Sequence, residues 1–192
     1  MKALAINGSP RNNGNTAILL KNVLRELEKE GIATELVQLG GQKINGCIGC
    51  YKCFDAKNGR CAVNDDIANE CIGKMREADA IILGSPTYFA DCTAAMKALI
   101  ERAGFVARAN NDMFGRKVGA AVVSVRRAGA IHAFDSINHF FTITQMIIIG
   151  SSYWNIGIGG KKGEVEKDDE GLSTMTTLGK NMAWVLKKLH QK

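Results

Sequence analysis

Five times along this chain a short apolar run gives way to a stretch of helical periodicity, and no other feature limits the possible folds as much. Lys2 to Ile6 reads as a strand, and Thr16 to Glu30 as a helix with Leu20, Val23, Leu24 and Leu27 on one face. Ile32 to Leu39 predicts a second strand. After a loop rich in glycine and cysteine, Asp66 to Glu77 predicts a helix striped by Ile67, Cys71, Met75 and Ala78, then Ala80 to Gly84 a strand buried on both faces. Asp91 is expected to cap a helix ending near Gly104. Lys117 to Val125 follows as a fourth strand, Ile131 to Met146 as a helix, and Ile147 to Trp154 as a broken fifth strand. Gly157 to Gly163 and acidic Glu164 to Glu170 read as loop, and Ser173 to Leu189 as a last helix. Such alternation requires right-handed crossovers onto a parallel sheet with helices on both faces. The expected class is α/β, a doubly wound five-stranded parallel sheet in the order 2-1-3-4-5.

A chain of 192 residues, 46% hydrophobic and 23% charged, suits one core, so residues 1–192 are expected to form a single domain. Met1 to Gly8 offers one lysine and a run of only four apolar residues, which predicts a cytoplasmic protein with no membrane association. The 25 Lys and Arg exceed the 19 Asp and Glu by six, which suits an anionic ligand. Those charges form no basic block with interleaved aromatics, so nucleic acid is not an expected partner. In a reducing compartment the six cysteines point to metal or redox chemistry rather than a disulfide framework.

The loop from Asn7 to Thr16 joins the first strand to the first helix and is dense in small donors. Free backbone N–H groups and the helix dipole favour an anion there. Gly8 and Gly14 allow close approach, Ser9, Asn13, Asn15 and Thr16 supply side-chain donors, and Arg11 supplies a charge. The loop matches neither G-x-G-x-x-G nor G-x-x-x-x-G-K-[ST], so a monophosphate fits better than a dinucleotide or a triphosphate. An ordinary turn capped by Asn15 is the plainer alternative.

Cys47, Cys50 and Cys53 form C-x2-C-x2-C, with Cys61 after seven further residues, inside a loop spanning about residues 44–65. Buried structural cysteines follow helix or strand periods, whereas this run bends a short chain around one centre, as ferredoxin motifs do. Zinc sites normally use two separated knuckles; a zinc-bound, empty or oxidised site stays open as an alternative. Cys71 lies on a helix stripe and reads as core. Cys92 falls near a helix start, either as a thiol of lowered pKa or as an inert buried one. Asp65 and Asp66 read as helix capping residues, and His132 and His139, seven apart, read as surface or packing residues.

The run Gly8-Ser9-Pro10-Arg11-x-x-Gly14-Asn15-Thr16 resembles the phosphate loop of the NADPH-dependent FMN reductase-like branch of the flavodoxin superfamily. Gly84-Ser85-Pro86-Thr87-Tyr88-Phe89-Ala90-Asp91 resembles the loop that supports the flavin ring in that family. Together with the cysteine run, the chain is similar over nearly its whole length to the iron-sulfur flavoproteins. The resemblance implies a flavodoxin-like fold, FMN, and a 4Fe-4S cluster on Cys47, Cys50, Cys53 and Cys61. It assigns Pro86 and Thr87 to the flavin's polar rim and Tyr88 or Phe89 to an apolar wall, although alone these two aromatics would read as core. Ser124, Arg126 and Arg127 correspond in part to a third flavin loop; the family's amide is replaced at Ala130, and the two arginines are equally readable as a solvated pair.

The function expected is a redox flavoprotein passing electrons between the cluster, FMN and a small acceptor such as oxygen, peroxide or a quinone, with no side chain required as acid or base. A ferredoxin-like donor would feed it. An NAD(P)H-dependent FMN or quinone reductase without a cluster is the alternative, and a cysteine-based metal or redox sensor is one of another class. The resemblance also implies a homodimer or homotetramer.

Overall fold

The computed structural model describes residues 1–191. Its elements run β1 (Lys2–Asn7), α1 (Asn15–Lys29), β2 (Ala33–Gln38), α2 (Lys52–Ala56), α3 (Ala68–Glu77), β3 (Ala80–Pro86), α4 (Ala94–Ala109), β4 (Val118–Val125), α5 (Ala130–Ile143), β5 (Ile147–Ile148), β6 (Ile156–Ile158) and α6 (Asp169–His190). All strand pairs are parallel and the order is β2-β1-β3-β4-β5, as the alternation requires.

Because strand side chains alternate between faces, the sheet divides the core in two. Leu4, Ile6, Ile81, Leu83 and Val123 pack with α3, α4 and α5. Ala3, Ala5, Ile82, Val118 and Val122 pack with α1 and α6. The stripe Leu20, Val23, Leu24 and Leu27 of α1 is buried on the second side, so the spacing read in the sequence is the packing face.

The fifth sheet position is filled by two short strands: β5 pairs with Val118 and Gly119, and β6 with Val123 to Val125. Asn155 stitches the gap. It is 2% exposed and donates its Nδ2 to the carbonyl of Ala121 at 3.0 Å, while its own carbonyl accepts the N–H of Val123 at 2.9 Å. Part of the expected loop Gly157–Gly163 is therefore strand, because the open edge of β4 supplies pairing that a three-residue run cannot advertise.

Glu164–Lys167, also expected as loop, is a 3-10 turn, and Asp168 caps α6 by accepting the N–H of Gly171 at 3.0 Å. The helix expected to end near Gly104 continues to Ala109. An interior glycine costs about 1 kcal/mol, and the buried Val106, Ala107 and Ala109 outweigh it. Its cap is Thr93, whose Oγ1 accepts the N–H of Met96 at 3.3 Å, in place of the expected Asp91. Among the described residues, no helix is long and apolar enough to cross a membrane.

Candidate functional site

A polar cleft opens at the carboxyl ends of β1, β3 and β4, lined by Ser9, Arg11, Asn15, Thr16, Pro86 and Thr87, with Tyr88, Ser124, Val125, Arg126, Gly159 and Gly160 completing it. Ligands of open α/β sheets bind at this edge, where the strand order reverses. The loop from 8 to 14 is pinned from below. Gly8 N–H donates to the Gly84 carbonyl at 2.7 Å, Thr93 Oγ1 donates to the Gly8 carbonyl at 2.9 Å, and Arg11 N–H donates to Ser9 Oγ at 3.2 Å.

The first intrahelical bond of α1 runs from Ile18 N–H to the Gly14 carbonyl. Ahead of it the N–H groups of Asn15, Thr16 and Ala17 have no helical acceptor, Gly14 brings no capping side chain, and the first turn carries no acid. With Arg11 at the rim, this donor set fits a phosphate. Thr16 Oγ1 and Ser124 Oγ are 2.8 Å apart, and the Ser124 carbonyl accepts the Thr87 N–H at 2.9 Å, so three strand ends are locked into one wall.

The β3–α4 loop folds back between Tyr88 and Asp91, whose N–H and carbonyl groups exchange bonds of 2.8 and 3.0 Å. Its two central residues, Phe89 and Ala90, have φ of 48° and 61°, the double left-handed geometry of a primed hairpin turn. That conformation throws Phe89 fully into solvent, away from the cleft, so of the two aromatics expected to form an apolar wall only Tyr88 lines it. Gly129, at φ 84°, lets the β4–α5 loop pass Ala90: a Cβ there would lie 3.2 Å from the Ala90 Cα.

Nine of the twelve residues assigned to flavin thus share the cleft, namely Ser9, Arg11, Asn15, Thr16, Pro86, Thr87, Tyr88, Ser124 and Arg126. Arg127 is exposed outside the lining, and Asn13 faces away, accepting from Lys21 Nζ at 3.4 Å. The Asn15 amide is turned to the protein, donating to the carbonyls of Gly159 and Lys161 at 2.8 and 3.0 Å. It therefore positions a wall rather than presenting a donor. Gly159 and Gly160 escaped sequence reasoning; a Cβ on Gly159 would meet the Val165 nitrogen at 2.6 Å, and this glycine-rich run was the available signal.

The four cysteines of the 44–65 loop line a second cleft, together with Gly46, Arg102 and Phe105. Gly49 and Tyr51, at φ 63° and 55°, bend the chain around it, and α2 then carries Cys53 inward. Cys50 is exposed, Cys53 is buried, and Cys47 and Cys61 are half-buried. Burial, followed by the neighbouring Cys61 and Cys47 sulfurs, pushes the Cys53 thiol up. Among the described residues no three His, Cys, Asp or Glu side chains are grouped to hold a single metal ion.

The loop is clasped by a buried ion pair. Arg102 and Asp66 are both fully shielded at the side chain, their N···O distance 2.5 Å. Arg102 also donates to the carbonyls of Asn45 and Val63 at 3.3 and 2.5 Å, which bracket the cysteines. Asp66 accepts the N–H groups of Asn45 and Ala68. Burial pushes its carboxyl up, but those N–H donors and the guanidinium prevail and hold it below its ordinary value. Capping is thus only part of the role of Asp66, and Asp65 does not cap at all: it pairs with Lys43 at the surface. Arg102 escaped sequence reasoning as well; an arginine among Leu99, Ala103 and Val106, on an otherwise apolar stripe, was the available signal.

Of the remaining candidates, Cys71 is core and His132 and His139 are exposed. Burial and the adjacent Asp91 carboxylate push the Cys92 thiol up to about 12. Its thiolate fraction at pH 8 is then on the order of one in ten thousand. Iodoacetamide at that pH should label exposed Cys50 well before Cys92 in the native protein freed of metal, and peptide mapping that finds equal rates would contradict an inert Cys92.

A parallel sheet of this order, with a polar cleft at its carboxyl edge, defines a flavodoxin-like α/β protein. A WrbA-like flavodoxin from Agrobacterium tumefaciens superposes on it with TM-score 0.67 at 13% identity, covering 97% of this chain and 98% of that one. The family described as NADPH-dependent FMN reductase matches residues 1–161. An iron-sulfur flavoprotein of Methanocaldococcus jannaschii is 39% identical over 97% of this chain and 98% of its own length. Another, from Methanosarcina thermophila, is 31% identical over 100% and 98%. The chain belongs to the NADPH-dependent FMN reductase family, with the iron-sulfur flavoproteins among its relatives, and is an oxidoreductase of that family.

Proposed function

We propose that this chain binds FMN in the polar cleft, holds a 4Fe-4S cluster on Cys47, Cys50, Cys53 and Cys61, and passes electrons between them and a small acceptor. The observation that carries the flavin assignment is the meeting of four separate stretches, 9–16, 86–88, 124–126 and 159–160, in one cleft at the ligand-binding edge of the sheet. The cluster assignment rests on an all-sulfur donor set lining one cleft, in a chain whose relatives are named iron-sulfur flavoproteins.

When bound, the cluster supplies one-electron transfer and FMN converts between one- and two-electron chemistry. The chain's own residues then have separate tasks. Asn15, Thr16 and Ala17 N–H groups and Arg11 hold the phosphate, while the Pro86–Tyr88 backbone and Ser124 set the ring's plane and Tyr88 keeps water from one side. The helix α4 links the two clefts, with Thr93 beside the flavin loop and Arg102 beside the cysteines, a rise of about 14 Å for nine residues. A ferredoxin-like donor at the cysteine loop fits this arrangement.

Absorption spectra of anaerobically purified protein, with iron and acid-labile sulfide analysis, test the reading. Flavin bands over a broad iron-sulfur shoulder are expected, and Cys50→Ser should lose most of the iron while retaining FMN. Unchanged iron in that variant would refute the ligand assignment. The matched family's description favours a second reading, an NADPH-dependent reductase. Anaerobic NADPH should bleach the flavin if that reading holds, and leave it oxidised if a protein donor is required.

A further inference from the structure

Arg102 is the one charged side chain of the cysteine cleft that is shielded from water, at 1% exposure, and its hydrogen bonds are uneven. Both terminal nitrogens are engaged, with Asp66, Asn45 and Val63. Its Nε is buried and has no hydrogen-bond partner among the described residues. An N–H without an acceptor in the interior is costly, so such a group calls for an acceptor. Arg102 and Cys61 line the same cleft. Asp66 holds one terminal nitrogen of the fork, and Arg102 lines the cleft that the four cysteines share.

We propose that Arg102 is a positioning and potential-setting residue that would donate Nε–H to the sulfur of Cys61 when this loop holds its metal–sulfur centre. The inference rests on the cluster reading given above and adds to it a named donor. Reduction adds one electron to the centre and makes its sulfur more basic, with no bond made or broken. A donor and a positive charge at that sulfur therefore stabilise the reduced form and raise the potential. Asp66 opposes the charge, holds the donor in place, and so sets how much of the guanidinium field reaches the cleft.

The test is a redox titration with dithionite of the metal-loaded protein, followed by electron paramagnetic resonance, with iron and sulfide counted for each sample. Arg102→Lys keeps the charge and removes the planar Nε–H. It is expected to lower the one-electron reduction equilibrium constant roughly tenfold, which is about 59 mV. Asp66→Asn keeps the shape and leaves the guanidinium charge unopposed, so its potential is expected to move upward. Full iron with wild-type potentials in both variants overturns the inference while leaving the cluster reading intact. Should Arg102→Lys fail to hold iron, the direction of the Asp66→Asn shift decides alone, an unchanged or lowered potential counting against the proposal. Wild-type protein that takes up neither iron nor sulfide removes the cluster reading, and this inference with it.

Discussion

Arg102→Ala is expected to destabilise the protein by about 3 kcal/mol or more, a larger loss than truncation of an ordinary surface arginine. The reason is the partner left behind: Asp66 would stay fully shielded with its countercharge gone, and breaking a buried pair costs roughly 3–5 kcal/mol. The carbonyls of Asn45 and Val63 would lose their donor at the same time, so the cysteine loop should loosen before the sheet does. Urea denaturation of Arg102→Ala, Asp66→Ala and the double variant checks this. The double variant should lose clearly less than the sum of the two, because neither charge is then stranded. Strict additivity would show that the pair is not coupled.

The same pair predicts an acid response. The Asp66 carboxyl titrates below its ordinary value in the folded protein, so its contribution is complete above the unfolded carboxylate range, about pH 4. It is lost as the pH falls through the lowered folded value. In the Arg102→Ala variant the main charge that favours ionised Asp66 is missing, and the loss of stability on acidification should begin at higher pH.

Asn15→Ala should weaken FMN binding by roughly ten- to hundredfold while leaving the helix and the sheet intact. Its side chain donates to Gly159 and Lys161 and accepts from Val165 N–H at 3.5 Å, so the change releases the loop that walls the phosphate end of the cleft. Three hydrogen bonds worth about 0.5–1.5 kcal/mol each hold that loop, roughly 1.5–4.5 kcal/mol in all, and FMN binding must resupply about 1.5–3 kcal/mol of it to re-order the freed loop. At about 1.4 kcal/mol per tenfold, that yields the stated range. Fluorescence titration of apoprotein with FMN measures it. Thr16→Ala, which removes the contact to Ser124, should have a smaller effect, and an unaltered dissociation constant in both would contradict the site.

Much of the architecture was written in periodicity. The parallel sheet and its order followed from apolar runs alternating with helical stripes, because burial on both faces leaves few arrangements for such a chain. The loop proposed to hold the phosphate was equally visible, since its glycines and small donors sit together in sequence next to a helix start. The cysteines declared themselves by spacing alone.

What the sequence could not declare were features whose partners are distant along the chain. β6 exists because β4 presents an open edge, and Asn155 joins the two across 34 residues to Ala121. Asn15 reads locally as a cap or a phosphate donor, yet its amide is claimed by carbonyls 144 and 146 residues away. Phe89 has the composition of a flavin wall, but the turn between Tyr88 and Asp91 sends it outward. Arg102 carries no motif, and only folding brings it 36 residues from its own position to Asp66, behind the cysteines. Local composition marked the stretches of chain proposed to carry this protein's chemistry. Tertiary structure decided which side chains face those sites, because hydrogen bonding and burial act between groups that only the fold makes neighbours.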